Sequence, residues 1–200
     1  MRVLATLLLG ACASPPPAAF DVTLVHGSDA ERATRAQIGS LATRFDLTPW
    51  RITSKLSIDE DSTPHSHPVL TLHTRHSKDD LLLLSTIIHE ESHWCFANHQ
   101  SDTDAAVAEL EPLYPDLPVG FPEGAMNHTS SYEHLMVIAF EWRGLRHYVG
   151  ELAAREVMSF WATDHYRAIY KAVLASPQPV WDVLARHGFH VPDASGRCHS

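Results

Sequence analysis

Basic charge is scarce in this chain: 15 lysines and arginines stand against 24 acidic residues among 200, giving a formal charge of −9. With no basic cluster to neutralise phosphates, nucleic acid is excluded as an expected partner. No apolar run reaches the roughly 20 residues a membrane-spanning helix needs. Three cysteines allow at most one intrachain disulfide. Internal repeats are absent as well, which removes stacked-repeat architectures. What remains is a chain that is 44% apolar and long enough to bury one full core, so a single domain is expected. Fifteen histidines are many for this length and raise a metal-storage reading. They are scattered, with no tract beyond His65 to His76.

The first residues have the form of an export signal. Met1-Arg2 supplies a cationic start, and Val3 to Leu9 a short apolar run. Leu9-Gly10-Ala11-Cys12 resembles the bacterial lipoprotein cleavage and lipidation box, which makes Cys12 the first mature residue and the acyl carrier. On that reading residues 1–11 are a signal peptide and 12–20, with Pro15-Pro16-Pro17, a stiff tether. Residues 21–200 are then the folded domain. An ordinary secretory signal is the alternative, since stable anchoring needs more than one acyl chain. With Cys12 lipidated, Cys95 and Cys198 are left, and two cysteines in an exported chain can pair.

The stretch that specifies chemistry is His89-Glu90-Glu91-Ser92-His93, which follows the apolar run Leu81 to Ile88. That run reads as a buried helix. Residues four apart share one helix face, so His89 and His93 can offer two imidazole nitrogens to one zinc ion. Glu90, beside them, can take a proton from a metal-bound water. Cys95 points off that face and reads as a small buried side chain.

Around this helix the pattern gives a strand at Asp21 to Val25, a helix capped by Ser28 and running to Phe45, and an alternating strand over Trp50 to Ile58. A third strand follows at Val69 to Thr74, and the signature helix begins near Ser77 to Asp80. A strand just ahead of a metal helix can pair with an extended peptide, which would make it a substrate ledge. Further on come a short helix from Ser101-Asp102 and a structured loop from Tyr114 to Thr129. A helix capped by Ser130 or Ser131 runs through Tyr148 to Gly150. Two or three more helices fill Glu151 to Gly188, and the last dozen residues read as loose.

Catalytic zinc takes three protein ligands and a water, so His89 and His93 need a third partner. The Ser131 to Tyr148 helix offers Glu133, His134 and Glu141. His134 and Glu141 lie seven residues apart on nearly one face, about 10 Å along the axis, too far for both to reach one ion. One ligates and the other supports. Outer-shell logic favours His134 as ligand, with Glu141 orienting a ligand histidine. The reverse assignment stays open, and Glu133 faces away. Tyr132, His147 and Tyr148 read as packing or surface rather than as proton donors, and His65, His67, His73 and His76 are assigned no metal role.

These residues carry a resemblance to the zincin-like metallopeptidases. His67-Pro68-Val69-Leu70-Thr71-Leu72-His73-Thr74, His89 to Trp94, Pro122-Glu123-Gly124-Ala125 and Tyr132-Glu133-His134-Leu135 through Glu141 resemble a little-characterised bacterial group with the H-E-x-x-H signature, and the similarity reaches Trp161 to His187. The resemblance implies an α+β fold with a small mixed sheet, an edge strand over the metal helix and a mainly helical C-terminal half. It maps residue by residue onto His89, Glu90 and His93. Two subclass patterns fail: position 145 is Leu145 where a thermolysin-like helix carries an acid, and the segment from His93 to His99 lacks the metzincin glycine.

The expected function is zinc-dependent peptide hydrolysis, with one Zn2+ per chain held by His89, His93 and His134 and with Glu90 as general base. The substrate is a peptide or protein, and the protein is lipid-anchored in a bacterial envelope, facing an extracytoplasmic space. Two alternatives stand beside it. One is a zincin-like envelope lipoprotein that binds metal or peptide without turnover; the other is a histidine-rich zinc buffer.

Overall fold

The computed structural model describes residues 20–200. The expected signal peptide, most of the tether and Cys12 lie outside the described residues. Phe20, at the end of the tether range, already packs into the core.

Three strands and six helices make up the described chain, in the order β1 (Asp21–Leu24), α1 (Asp29–Arg44), β2 (Lys55–Ile58), β3 (Leu70–Leu72), α2 (Asp80–Ala97), α3 (Gln100–Leu110), α4 (His128–Asp164), α5 (Arg167–Ala175) and α6 (Gln178–Arg186). The chain is α+β, with one small sheet and a mainly helical second half. The sheet differs from the mixed one expected. Its order is β1-β2-β3, and both pairings are parallel, with Val22 opposite Leu56 and Leu56 opposite Leu70. The reason lies in the connections. A tight turn would reverse the chain, whereas α1 carries it from β1 back to the start of β2, and residues 59–69 do the same between β2 and β3. Antiparallel pairing at the sheet is reduced to the single bridge of His65 to Thr71, on the outer side of β3. The ledge expected there for a substrate is thus filled at its centre by the chain itself.

The helix carrying the signature starts where the sequence places it. The Asp79 carboxylate accepts the backbone N–H groups of Leu81 and Leu82 at 3.1 and 3.0 Å, satisfying two of the four donors a helix start leaves free. Beyond this cap nearly every residue from Leu82 to Ser92 is buried, because the sheet side and α4 cover opposite faces. Each buried leucine or isoleucine there stabilises the fold by about 1.5–3 kcal/mol. Gly144 sets how close α4 comes to α2. A Cβ at that position would stand 2.6 Å from the Trp50 ring and 3.0 Å from Ile88.

Helix α4 begins earlier than expected, because Asn127 is its cap. The Asn127 side chain accepts the Ser130 N–H, while the Ser130 hydroxyl accepts the Asn127 N–H, each at 2.9 Å. The expected stop at Gly150 is a bend, with φ 78° at the glycine and a second helical stretch running on to Asp164. The C-terminal residues are not loose. Cys198 is disulfide-bonded to Cys95 on α2, Phe189 pairs with His199, and the His190 N–H donates to the Cys198 carbonyl at 3.0 Å. Buried Phe189 and the covalent bond anchor the segment together.

The disulfide joins residues 103 apart in sequence, a long loop whose closure restricts the unfolded chain. Replacing both cysteines by alanine is expected to cost about 2–5 kcal/mol in urea unfolding, with no further loss on adding a reductant.

Candidate metal centre

Helix α2 sets His89 and His93 one turn apart on the face that looks toward α4. Helix α4 runs past it in the opposite sense, so His134 lies level with His93, and Glu141, two turns on, lies level with Ser85 and His89. The ring centroids of His93 and His134 are 4.8 Å apart, and those of His89 and His134 are 5.7 Å apart. One ring nitrogen from each of the three histidines falls within 4.8 Å of the others. Zinc–nitrogen bonds of about 2.0–2.1 Å can gather such a set after small side-chain adjustments.

Hydrogen bonds decide which nitrogens are available. His89 Nδ1 lies 2.9 Å from a carboxylate oxygen of Glu141, which can only accept when ionised, so the Nε2 lone pair of His89 is free. The His134 Nδ1–H donates to the Ser130 carbonyl at 2.7 Å and frees its Nε2 in the same way. Burial, with the neighbouring His89 charge, pulls the pKa of His134 down to about 3, and burial pulls His93 well below the ordinary histidine value. Both rings are therefore neutral and able to ligate. Burial also works against a charged His89, but the Glu141 hydrogen bond and the charges of Glu141 and Glu90 outweigh it and raise its pKa.

Glu141 does not join the three nitrogens. It is fully buried, and besides His89 it accepts hydrogen bonds from the Ser85 hydroxyl and, at 2.8 Å, from the Tyr170 hydroxyl of α5. The Trp161 indole N–H in turn donates to the Ser85 oxygen at 2.8 Å. Four side chains, from α2, α4 and α5, thus fix the orientation of one imidazole.

Glu90 sits between this cluster and open space, in a cleft of about 720 Å3. Burial raises its pKa to about 7, with His89 and His65 opposing. A carboxyl poised near neutrality can both accept and return a proton. No known protein family, curated protein or solved structure matches this chain.

Several cleft residues gave no signal in sequence. Tyr166, between α4 and α5, has φ 46°, the one positive φ at a non-glycine among the described residues. Its ring lies 4.2 Å from that of His134. Such backbone costs about 1–3 kcal/mol and is held here by its surroundings. His165 also lines the cleft and pairs through Nδ1 with Asp164 at 2.9 Å. Asp164 is bound in turn by Arg75, just after β3, so an ion pair spans the cleft between α4 and the sheet side.

Other candidates lie elsewhere. Tyr132 is buried and donates to the Tyr114 carbonyl, Tyr148 donates to the Asp46 carbonyl, and Glu133 is half-buried outside the cleft. His65, His73 and His76 line the cleft but stand apart from the three-nitrogen set, while His67 stacks on Trp94 at 3.9 Å. A second group able to hold a metal, His26, Glu31 and Asp59, is otherwise engaged. The Glu31 carboxylate there accepts the backbone N–H groups of His26 and Gly27.

The Arg75 hydrogen bond, opposed by burial and helped by His165, lowers the Asp164 pKa to about 2. A folded value below the unfolded one stabilises the protein at pH above about 4 and is lost as pH falls toward 2. Arg75 is half-exposed, so screening reduces the gain to about 1 kcal/mol. Asp164→Asn is expected to lower neutral-pH stability by that amount, and urea midpoints of variant and wild type are expected to converge as pH approaches 2.

Proposed function

We propose that this protein is a zinc-dependent peptidase of the zincin-like type, with His89, His93 and His134 as the metal ligands and Glu90 as the general base. The observation that carries the reading is the meeting of three imidazole nitrogens from two helices beside Glu90, at the inner end of an open cleft. The donor set suits zinc, since three histidines leave a fourth position of a tetrahedral ion for water or substrate. Bound there, the ion supplies Lewis-acid chemistry, lowering the pKa of a water and polarising a carbonyl.

The chain's own residues supply the rest. Glu141 holds His89 in the tautomer that presents Nε2 to the metal. The Glu90 carboxylate takes a proton from the attacking water and delivers it to the departing amine, a double role served by its near-neutral pKa. Burial, with the nearby Glu90 charge, raises the Tyr166 pKa, so its phenol stays protonated and can donate to an oxyanion. The zincin-like plan is supported by the order of elements, with a small sheet ahead of the signature helix and the third histidine on a later helix. The all-parallel sheet departs from the mixed one that plan implies.

An extracytoplasmic, lipid-anchored location belongs to the same proposal. The Cys95–Cys198 disulfide supports an oxidising compartment, because reduced cytosol rarely sustains such bonds. Among the described residues no helix is long and apolar enough to cross a membrane, so attachment rests on the Cys12 segment.

Glu90→Gln is expected to retain about one zinc per chain while peptide hydrolysis falls by at least about a hundredfold. Unchanged hydrolysis sinks the mechanism, and full zinc occupancy with no cleavage by the wild type favours a binding protein without turnover. Metal analysis after dialysis separates the two helix α4 residues. His134→Ala is expected to lose the ion, and Glu141→Ala to hold it about 10–100-fold more weakly. Loss of zinc in Glu141→Ala alone would exchange their roles, and several ions per wild-type chain would point to a zinc buffer.

A further inference from the structure

The loop between α3 and α4 holds a large apolar side chain in water at the mouth of the cleft. Phe121 is 75% exposed, yet it lines the same cleft as His134 and Tyr166. Leaving a phenylalanine in water forgoes about 1.5–3 kcal/mol of burial. The loop has the means to hold it there. The Gly120 N–H donates to the Ala125 carbonyl at 2.7 Å, and the Gly124 N–H to the Gly120 carbonyl at 2.8 Å. Gly124 is required for this closure, since a Cβ would fall 1.9 Å from the Pro118 carbonyl oxygen.

The loop is also tied to α4 and α5. The Ser131 hydroxyl, on α4, donates to the Pro118 carbonyl at 2.8 Å, and the Ala125 N–H donates to the same hydroxyl at 3.0 Å. The first N–H groups of α5 donate to the Pro122 and Glu123 carbonyls. The backbone that carries Phe121 is therefore held relative to α4 and the start of α5. The nearby cleft wall carries charged and polar groups, among them the Arg75–Asp164 ion pair and several histidines. An exposed aromatic carried on a braced loop beside the cleft has the character of a binding hot spot, because the loop backbone loses little freedom when the ring is covered.

We propose that Phe121 is a specificity determinant which binds a large apolar side chain of the substrate peptide close to the scissile bond. This rests on the peptidase reading for what occupies the cleft. Val119 and Met126, exposed on the same loop, extend the apolar surface outward along the bound chain.

The test reads binding apart from turnover. The full chain carrying Glu90→Gln and loaded with zinc is titrated, by fluorescence anisotropy, against two labelled hexapeptide pools. One pool is rich in Leu, Phe and Met, the other in Ser, Asn and Gln. Adding Phe121→Ser is expected to weaken the apolar pool about tenfold and leave the polar pool unchanged, while Phe121→Leu keeps the preference. Equal affinity for both pools before the change, or the same preference after it, overturns the proposal. So does loss of binding to phosphatidylglycerol vesicles with peptide binding unaltered, which would make the loop a membrane contact. A preference that depends on Phe121 in a chain whose wild type hydrolyses nothing upholds this inference and removes only the peptidase reading.

Discussion

A single buried carboxylate organises the centre of this protein. Glu141 has no exposure, and a charge so placed is tolerated only when its oxygens are fully engaged. Ser85, His89 and Tyr170 engage them, drawing α2, α4 and α5 onto one point. The same contacts that satisfy the charge set the tautomer of His89. Stability of the helical half and readiness of the proposed metal site are consequently two aspects of one interaction.

Around that point the fold divides the work between rigid and open parts. The apolar run of α2 and the close approach of α4 to it at Gly144 make a dense core, which keeps His89, His93 and His134 in fixed relation. The open side is built from connections: residues 61–66 after β2, the Phe121 loop and the Asp164–Tyr166 corner. Each is tied down by specific bonds, the first through the His65–Thr71 bridge, the second by Ser131 and the start of α5, the third by Arg75. The cleft is therefore a shaped surface with its loop backbones tied in place.

Local chemistry made much of the fold legible. The Asp79 cap, the apolar run and the four-residue histidine spacing act within one helix, where periodicity and capping suffice. The Ser28 cap and the first strand followed for the same reason. Strand direction was not legible, because parallel and antiparallel pairing share one alternating pattern and differ only in how the connection returns. The C-terminal segment reads as loose because a possible Cys95–Cys198 pairing does not by itself say that residues 103 apart are brought together. Asn127 and Ser130 belong to one reciprocal cap, so the residue types alone do not say which of them opens the helix.

The site divides along the same line. Helix geometry, read from the sequence alone, puts His89 and His93 on one face with Glu90 beside them. It also narrowed the third partner to His134 or Glu141, which a common helix keeps about 10 Å apart. Only the tertiary structure decided which of them stands beside the other two nitrogens, because that depends on how far α4 is displaced along α2. It alone brought in Tyr166, Tyr170, His165 and Phe121, whose positions come from loops and a later helix. Helical periodicity reaches a few residues along a chain, and everything beyond that reach is fixed by packing between elements.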